Sequence, residues 1–161
     1  MEAPKAVGWT TPTATPSLGT GRIVFTAGST IVIDAPAKEV FNAMVDFRRY
    51  SEWNTWIPRL TFIDTEASEA VEPGANGILE TLTDSGDDIM KIPIERVQVV
   101  TAKEPDACEV RNWESLGGLA AYAMKLSWVS KQLEAANVRY LDELAAFVKG
   151  DVAKKAAPAK A

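Results

Sequence analysis

This sequence predicts an α+β fold, an antiparallel β-sheet wrapped around one long C-terminal helix with two short helices after the first strand. Three observations carry the prediction. Residues 119–149 contain neither Gly nor Pro, and Leu126, Val129, Leu133, Ala136, Tyr140, Leu144 and Phe147 recur at three- and four-residue steps, the period of an amphipathic helix. Between residues 22 and 115, extended apolar patterns are separated by turn-forming clusters such as Asp84-Ser85-Gly86-Asp87 and Glu104-Pro105-Asp106. Near the start of that region, Ile31-Val32-Ile33 stops at Asp34-Ala35-Pro36, and a short helical pattern follows with Val40, Phe41, Met44 and Val45 on one face.

Taken in order, residues 1–20 carry Pro4, Pro12 and Pro16 among Thr, Ala and Gly without periodicity, and read as a disordered lead-in with Trp9 docking locally. The folded domain is expected over 21–150. Arg22–Phe25 and Ser29–Ile33 are extended, with Gly28 a candidate bulge; one bent strand and a hairpin both fit. Asp34 near the N-terminus, Pro36 in the first turn and Glu39 beside the helix dipole predict a helix over 37–45. A second short helix or helical turn follows over 47–56, where Tyr50, Trp53 and Trp56 enclose Asn54.

Leu60–Thr65 alternates as a strand, and Gly77–Thr83 reads as the next. Ile89–Val100 is a further extended segment with Pro93 at an edge or break, and Ala107–Ser115 is the last strand, ending at Gly117-Gly118. The closing helix, if straight, spans roughly 45 Å; Ser127 and Ser130 favour a bend, and Gly150 is its stop signal before a disordered Ala/Lys tail over 151–161.

Composition narrows the function classes. A length of 161 residues is one domain with room for a real core. A net charge of −5 argues against a nucleic-acid partner, because neutralising phosphates needs a basic face. The sequence has no histidine, which removes the usual Ser-His-Asp and Cys-His schemes and most zinc and non-haem iron sites. No metal and no cofactor are therefore expected. Cys108 is the only cysteine, so no intramolecular disulfide forms and a reducing compartment fits. No apolar run approaches the ~20 residues of a membrane span, and no secretory pattern opens the chain. A cytoplasmic location without stable membrane insertion is the expectation.

The local residues sharpen the class. Ile31-x-Ile33-Asp34-Ala35-Pro36, then Glu39-Val40-Phe41, then Val45-Asp46-Phe47, Tyr50, and Trp53-Asn54 closing on Trp56-Ile57-Pro58 resemble the opening of the SRPBCC superfamily. That group includes START-type lipid carriers, pollen-allergen-like proteins, polyketide cyclase/dehydrases and coenzyme Q-binding carriers. Val110, Trp113-Glu114, Gly117-Gly118, Lys131-Gln132-Leu133 and Leu141-x-x-Leu144 are similar to the last strand and closing helix of the cyclase/dehydrase branch. The resemblance covers about residues 22–149 and implies the helix-grip fold, with a small hydrophobic molecule (a lipid, isoprenoid or polyketide) held between sheet and helix. Members carry six strands between the second and last helices, whereas about four can be placed here. That implies a cavity that is open, shallow, or completed by a partner chain across an exposed sheet edge, a route to a homodimer.

On that reading Trp53, Trp56, Phe62, Trp113, Met124, Trp128 and Tyr140 are the candidate apolar lining, each weighed against a plain core role. Asn54 either caps the backbone where the short helix ends or orients a ligand, and Asn137 interrupts the helix stripe to point a polar group inward. On the last strand Asn112 and Glu114 share one face while Arg111 and Trp113 share the other. Glu114 is the one candidate for an acid with a raised pKa, against the alternative of an ion pair. Two functions besides carriage stay open: a polyketide cyclase/dehydrase-like enzyme, and a ligand-free interaction protein using the sheet edge.

Overall fold

The computed structural model describes residues 4–16, 18–57, 94–126 and 128–156. They form the expected α+β architecture. Strands β1 (Val7–Trp9), β2 (Ile23–Ile33), β3 (Ile94–Glu104) and β4 (Ala107–Gly117) make one antiparallel sheet in the order β1-β2-β4-β3. Helix α1 (Ala37–Val45) and a 3-10 turn (Phe47–Glu52) follow β2, and helices α2 (Leu119–Leu126) and α3 (Val129–Ala156) close the chain. The expected strands over 60–65 and 77–83, with Phe62, lie outside the described residues.

Between the two early segments the chain makes one strand, not a hairpin. Val32 and Ile33 pair with Glu109 and Cys108, and the ladder continues to Ile23 opposite Gly117. Its irregularity falls between Ile23 and Phe25 rather than at Gly28. Gly28 has a different task. The Trp9 indole lies against it, so a Cβ there would sit 2.5 Å from the ring carbon Cζ2, and Trp9 Nε1 donates to Thr30 Oγ1 at 3.1 Å. This contact, with Ala6 N donating to Asp142 Oδ1 at 2.8 Å, draws Val7–Trp9 out of the expected lead-in and onto the sheet. Thr13 continues the attachment, its N–H donating to Thr26 Oγ1 and its carbonyl accepting from Ser115 Oγ.

Helix α1 starts where expected, with Pro36 as the residue before its first turn, but Asp34 does not cap it. It buries Val40 and Met44, while Phe41 and Val45 are half-buried. Strands β3 and β4 turn through Pro105-Asp106, with Glu104 opposite Ala107. Pro105 fixes φ near −65°, which excludes the primed turns that match strand twist; the register shifts between Ala102 and Glu104 beside this turn.

The closing helix is broken near its start. Gly118, at φ 79°, supplies the left-handed residue that turns β4 into α2; α2 ends at Leu126, and α3 starts at Val129 after a turn at Trp128. At its far end α3 passes through Gly150 to Ala156. The stop signal is overridden by packing: Arg49 Nη1 donates to Asp151 Oδ2 at 2.6 Å, its Nη2 to Asp151 Oδ1 at 3.1 Å, and Val152 packs on the core. Part of the expected tail is therefore helix.

The core lies between the inner sheet face and α3. Ile31, Ile33, Val110, Leu141 and Leu144 meet Val40 and Met44 of α1 there. A smaller cluster of Val24, Phe25, Ala27, Leu116 and Ala121 sits under α2. Full burial of such side chains stabilises the fold by about 1.5–3 kcal/mol each.

Candidate functional site

Strand pairing decides which polar groups enter the interior. With Arg96 opposite Glu114 and Gln98 opposite Asn112, these four side chains stand on the sheet face that carries Val110 and Cys108 of the core. On α3, Asn137 and Tyr140 are three residues apart and therefore neighbours on the helix surface; both are fully buried. Sheet and helix thus meet through polar groups at their middle and through apolar groups towards α1.

The contacts form two linked sets. Arg96 Nε donates to Glu114 Oε1 at 2.7 Å, and its Nη2 forms an ion pair with the same oxygen. The guanidinium lies 4.2 Å from the Trp56 ring centroid and 5.8 Å from that of Tyr140, cation–π placements in a site largely shielded from water. Gln98 Nε2 donates to the Tyr140 hydroxyl at 2.8 Å, and that hydroxyl is 3.4 Å from the Tyr50 hydroxyl, which donates to Met44 O at 2.7 Å. In the second set Asn112 Nδ2 donates to Asn137 Oδ1 at 2.5 Å, Asn137 Nδ2 donates to Leu133 O at 2.9 Å, and Ser29 Oγ donates to Asn137 O at 2.8 Å.

Apart from Arg96 Nη2, which is held by its ion pair, four buried polar atoms have no hydrogen-bond partner among the described residues: Asn112 Oδ1, Trp53 Nε1 and Asn54 Nδ2 in this interior, and Trp113 Nε1 on the other sheet face. A buried unpaired polar atom costs about 1–3 kcal/mol, and among these atoms of the described residues Asn112 Oδ1 is the one acceptor. The Tyr50 and Tyr140 hydroxyls are pushed well above the ordinary tyrosine range. Burial is the main cause for both, with the facing Tyr140 adding to it at Tyr50. They hold protons firmly and serve as hydrogen-bonding groups rather than as bases.

The candidate residues divide by location. Tyr140, Asn137, Trp56 and Glu114 come together here. Glu114 is an ion-pair partner, the second of the two roles weighed for it. Trp53 packs on Tyr140 at 5.2 Å and on Phe147 at 5.8 Å, centroid to centroid, one wall of the interior. Asn54 takes its capping role: its Oδ1 accepts from the N–H groups of Trp56 and Ile57 at 3.0 and 2.8 Å. Thr55 then binds both Glu143 carboxylate oxygens, which fixes this wall to α3.

Three candidates do not join. Trp113 lies on the opposite sheet face, because the alternation that turns Glu114 inward turns it outward; there it meets Trp9 at 6.3 Å, with Arg111 over both rings. Trp128 stands at the break between α2 and α3 and is 66% exposed. Met124 packs beneath α2 against the smaller apolar cluster. Phe62 lies outside the described residues.

Sequence reasoning missed Arg96 and Gln98. Both lie in the segment read as extended, and only the strand register shows that they face the helix. In comparisons with known proteins, no family model and no curated protein matches this chain.

Proposed function

We propose that this protein binds and carries a small hydrophobic molecule between the inner sheet face and α3, with the ligand's polar group meeting Arg96, Gln98 and Asn112. The observation that carries the reading is Asn112 Oδ1, a fully buried acceptor with no partner among the described residues, beside an Arg96–Glu114 pair and under aromatic rings. Small-molecule sites have this character: apolar and aromatic walls with a few convergent polar groups that fix orientation. The resemblance of 22–149 to the SRPBCC superfamily supports the same location and the same ligand class. Carriage is favoured over catalysis because Glu114 is ion-paired and the tyrosines retain their protons, which suits holding a group in place.

Native mass spectrometry of protein purified from its source tests this. Wild-type protein carries an apolar small-molecule adduct released on denaturation, and Arg96→Met purified in parallel carries far less. An adduct of equal occupancy in both proteins, or none in either, refutes the assignment.

A further inference from the structure

Helix α2 is apolar almost all round. Of its eight residues only Lys125 is polar. One side, with Ala121 and Met124, packs on Phe25 and Leu116. The other carries Leu119, Tyr122 and Leu126, which at spacings of three and four share a stripe and are 83%, 57% and 89% exposed; Trp128, just past the helix, is 66% exposed. A helix apolar on every side is normally covered on every side. The four exposed side chains present on the order of 500 Å² of mostly apolar surface, within the size range of patches that are often functional. That is below the ~800 Å² per partner of a stable protein interface, so a second copy of the chain is a poor occupant.

Two further features identify the occupant. Tyr and Trp with aliphatic neighbours are the side chains that settle at a membrane–water boundary. Between residues 115 and 133 the only charged residues are Lys125 and Lys131, in a chain of net charge −5. Local positive charge within an acidic protein complements an anionic lipid surface, where lysines beside an apolar face add attraction. At eight residues α2 is about 12 Å long, far too short to cross a bilayer, and none of the helices among the described residues is long and apolar enough to do so. It would lie in the interface.

We infer that the exposed face of α2 with Trp128 is a docking surface for anionic lipid membranes. This rests on the exposed face alone and not on the ligand site between sheet and α3. The test is flotation of the full chain with vesicles of phosphatidylcholine, with and without phosphatidylglycerol, together with quenching of tryptophan emission by lipids brominated along the acyl chain.

The expected result is flotation with the phosphatidylglycerol vesicles, weakened by salt, and quenching that Trp128→Ser reduces. Leu126→Glu should weaken binding by roughly tenfold or more with an unchanged circular dichroism spectrum, since the side chain is exposed. Lys125→Glu with Lys131→Glu should weaken binding to the anionic vesicles. Absence of flotation, or flotation that Leu126→Glu leaves intact, overturns the inference. So does a concentration-dependent dimer that Leu126→Glu dissolves, which gives the face to a second copy. A native-mass adduct retained by Leu126→Glu, alongside lost flotation, separates this surface from the ligand site.

Discussion

The buried Asn112–Asn137 pair can be separated into a structural and a functional part by replacing each residue with leucine, alone and together. In the wild-type protein Asn137 Oδ1 accepts from Asn112 Nδ2, and Asn112 Oδ1 already lacks a partner among the described residues. Asn137→Leu leaves the Asn112 carboxamide without either contact in a fully buried position. Orphaning one more buried polar group costs about 1–3 kcal/mol, and the loss of Asn137 Nδ2 to Leu133 O adds little because that carbonyl is within α3. A fall of about 2 kcal/mol is expected. Asn112→Leu orphans Asn137 Oδ1 but removes the unpaired Asn112 Oδ1, so its expected fall is about 1 kcal/mol. The double variant leaves no orphan. Replacing both members of a buried polar pair by apolar groups of similar size is close to neutral, so it should unfold within about 1 kcal/mol of wild type, a coupling of roughly 2 kcal/mol. Urea unfolding gives these values directly if the slope with denaturant is unchanged. The ligand adduct should be lost from the double variant although its stability is recovered. Additive falls, with the double variant the least stable of the set, would show instead that the pair is held for packing.

Other outcomes follow from the same contacts. Glu114→Gln removes the charge that compensates the mostly buried Arg96 guanidinium and is expected to lower stability by about 2–3 kcal/mol in urea unfolding. Gly28→Ala pushes a Cβ into the Trp9 ring and should cost about 1–3 kcal/mol, with the Trp9 and Trp113 emission moving to the red as β1 detaches. The pKa values of Tyr50 and Tyr140 are raised in the folded state. Their contribution is therefore whole below the unfolded tyrosine value of about 10 and is lost as pH rises toward the folded values. Stability should fall above pH ~10 by about 1.4 kcal/mol per unit for each tyrosine, and in a Tyr122→Phe background, which removes the exposed third tyrosine, the tyrosinate absorbance should appear only with unfolding; a rise in the native form of that variant would contradict the burial of the other two.

The architecture was legible because it rests on local signals. A long stretch free of Gly and Pro with a helical period produced α2 and α3, and Asp34-Ala35-Pro36 produced the entry to α1. What could not be read depends on contacts distant in sequence. Gly150 is a sound local stop signal, yet Arg49, about a hundred residues earlier, holds Asp151 and extends the helix. Trp9 sits in a segment with no periodicity, and only the missing side chain of Gly28 makes room for it.

The site was legible in part. Asn137 inward and Asn112 sharing a face with Glu114 follow from alternation and helical spacing. Arg96 does not. Counted back from the Pro105-Asp106 turn without an irregularity, Arg96 falls opposite Ser115 on the outer face; the shift between Ala102 and Glu104 places it opposite Glu114 instead. One extra residue moves a whole strand to the other side; Pro105 rules out a primed turn but does not say in which strand the extra residue falls.

Nuclear magnetic resonance can show whether the polar interior between sheet and helix takes up a ligand, as proposed. With 8-anilinonaphthalene-1-sulfonate as an apolar probe carrying one anionic group, the side-chain amide signals of Gln98 and Asn112 and the Trp53 indole N–H signal should move saturably. Arg96→Met should weaken those changes. Shifts confined to Trp9 and Trp113, or to Tyr122 and Trp128, with the Gln98, Asn112 and Trp53 signals unmoved, would contradict the account.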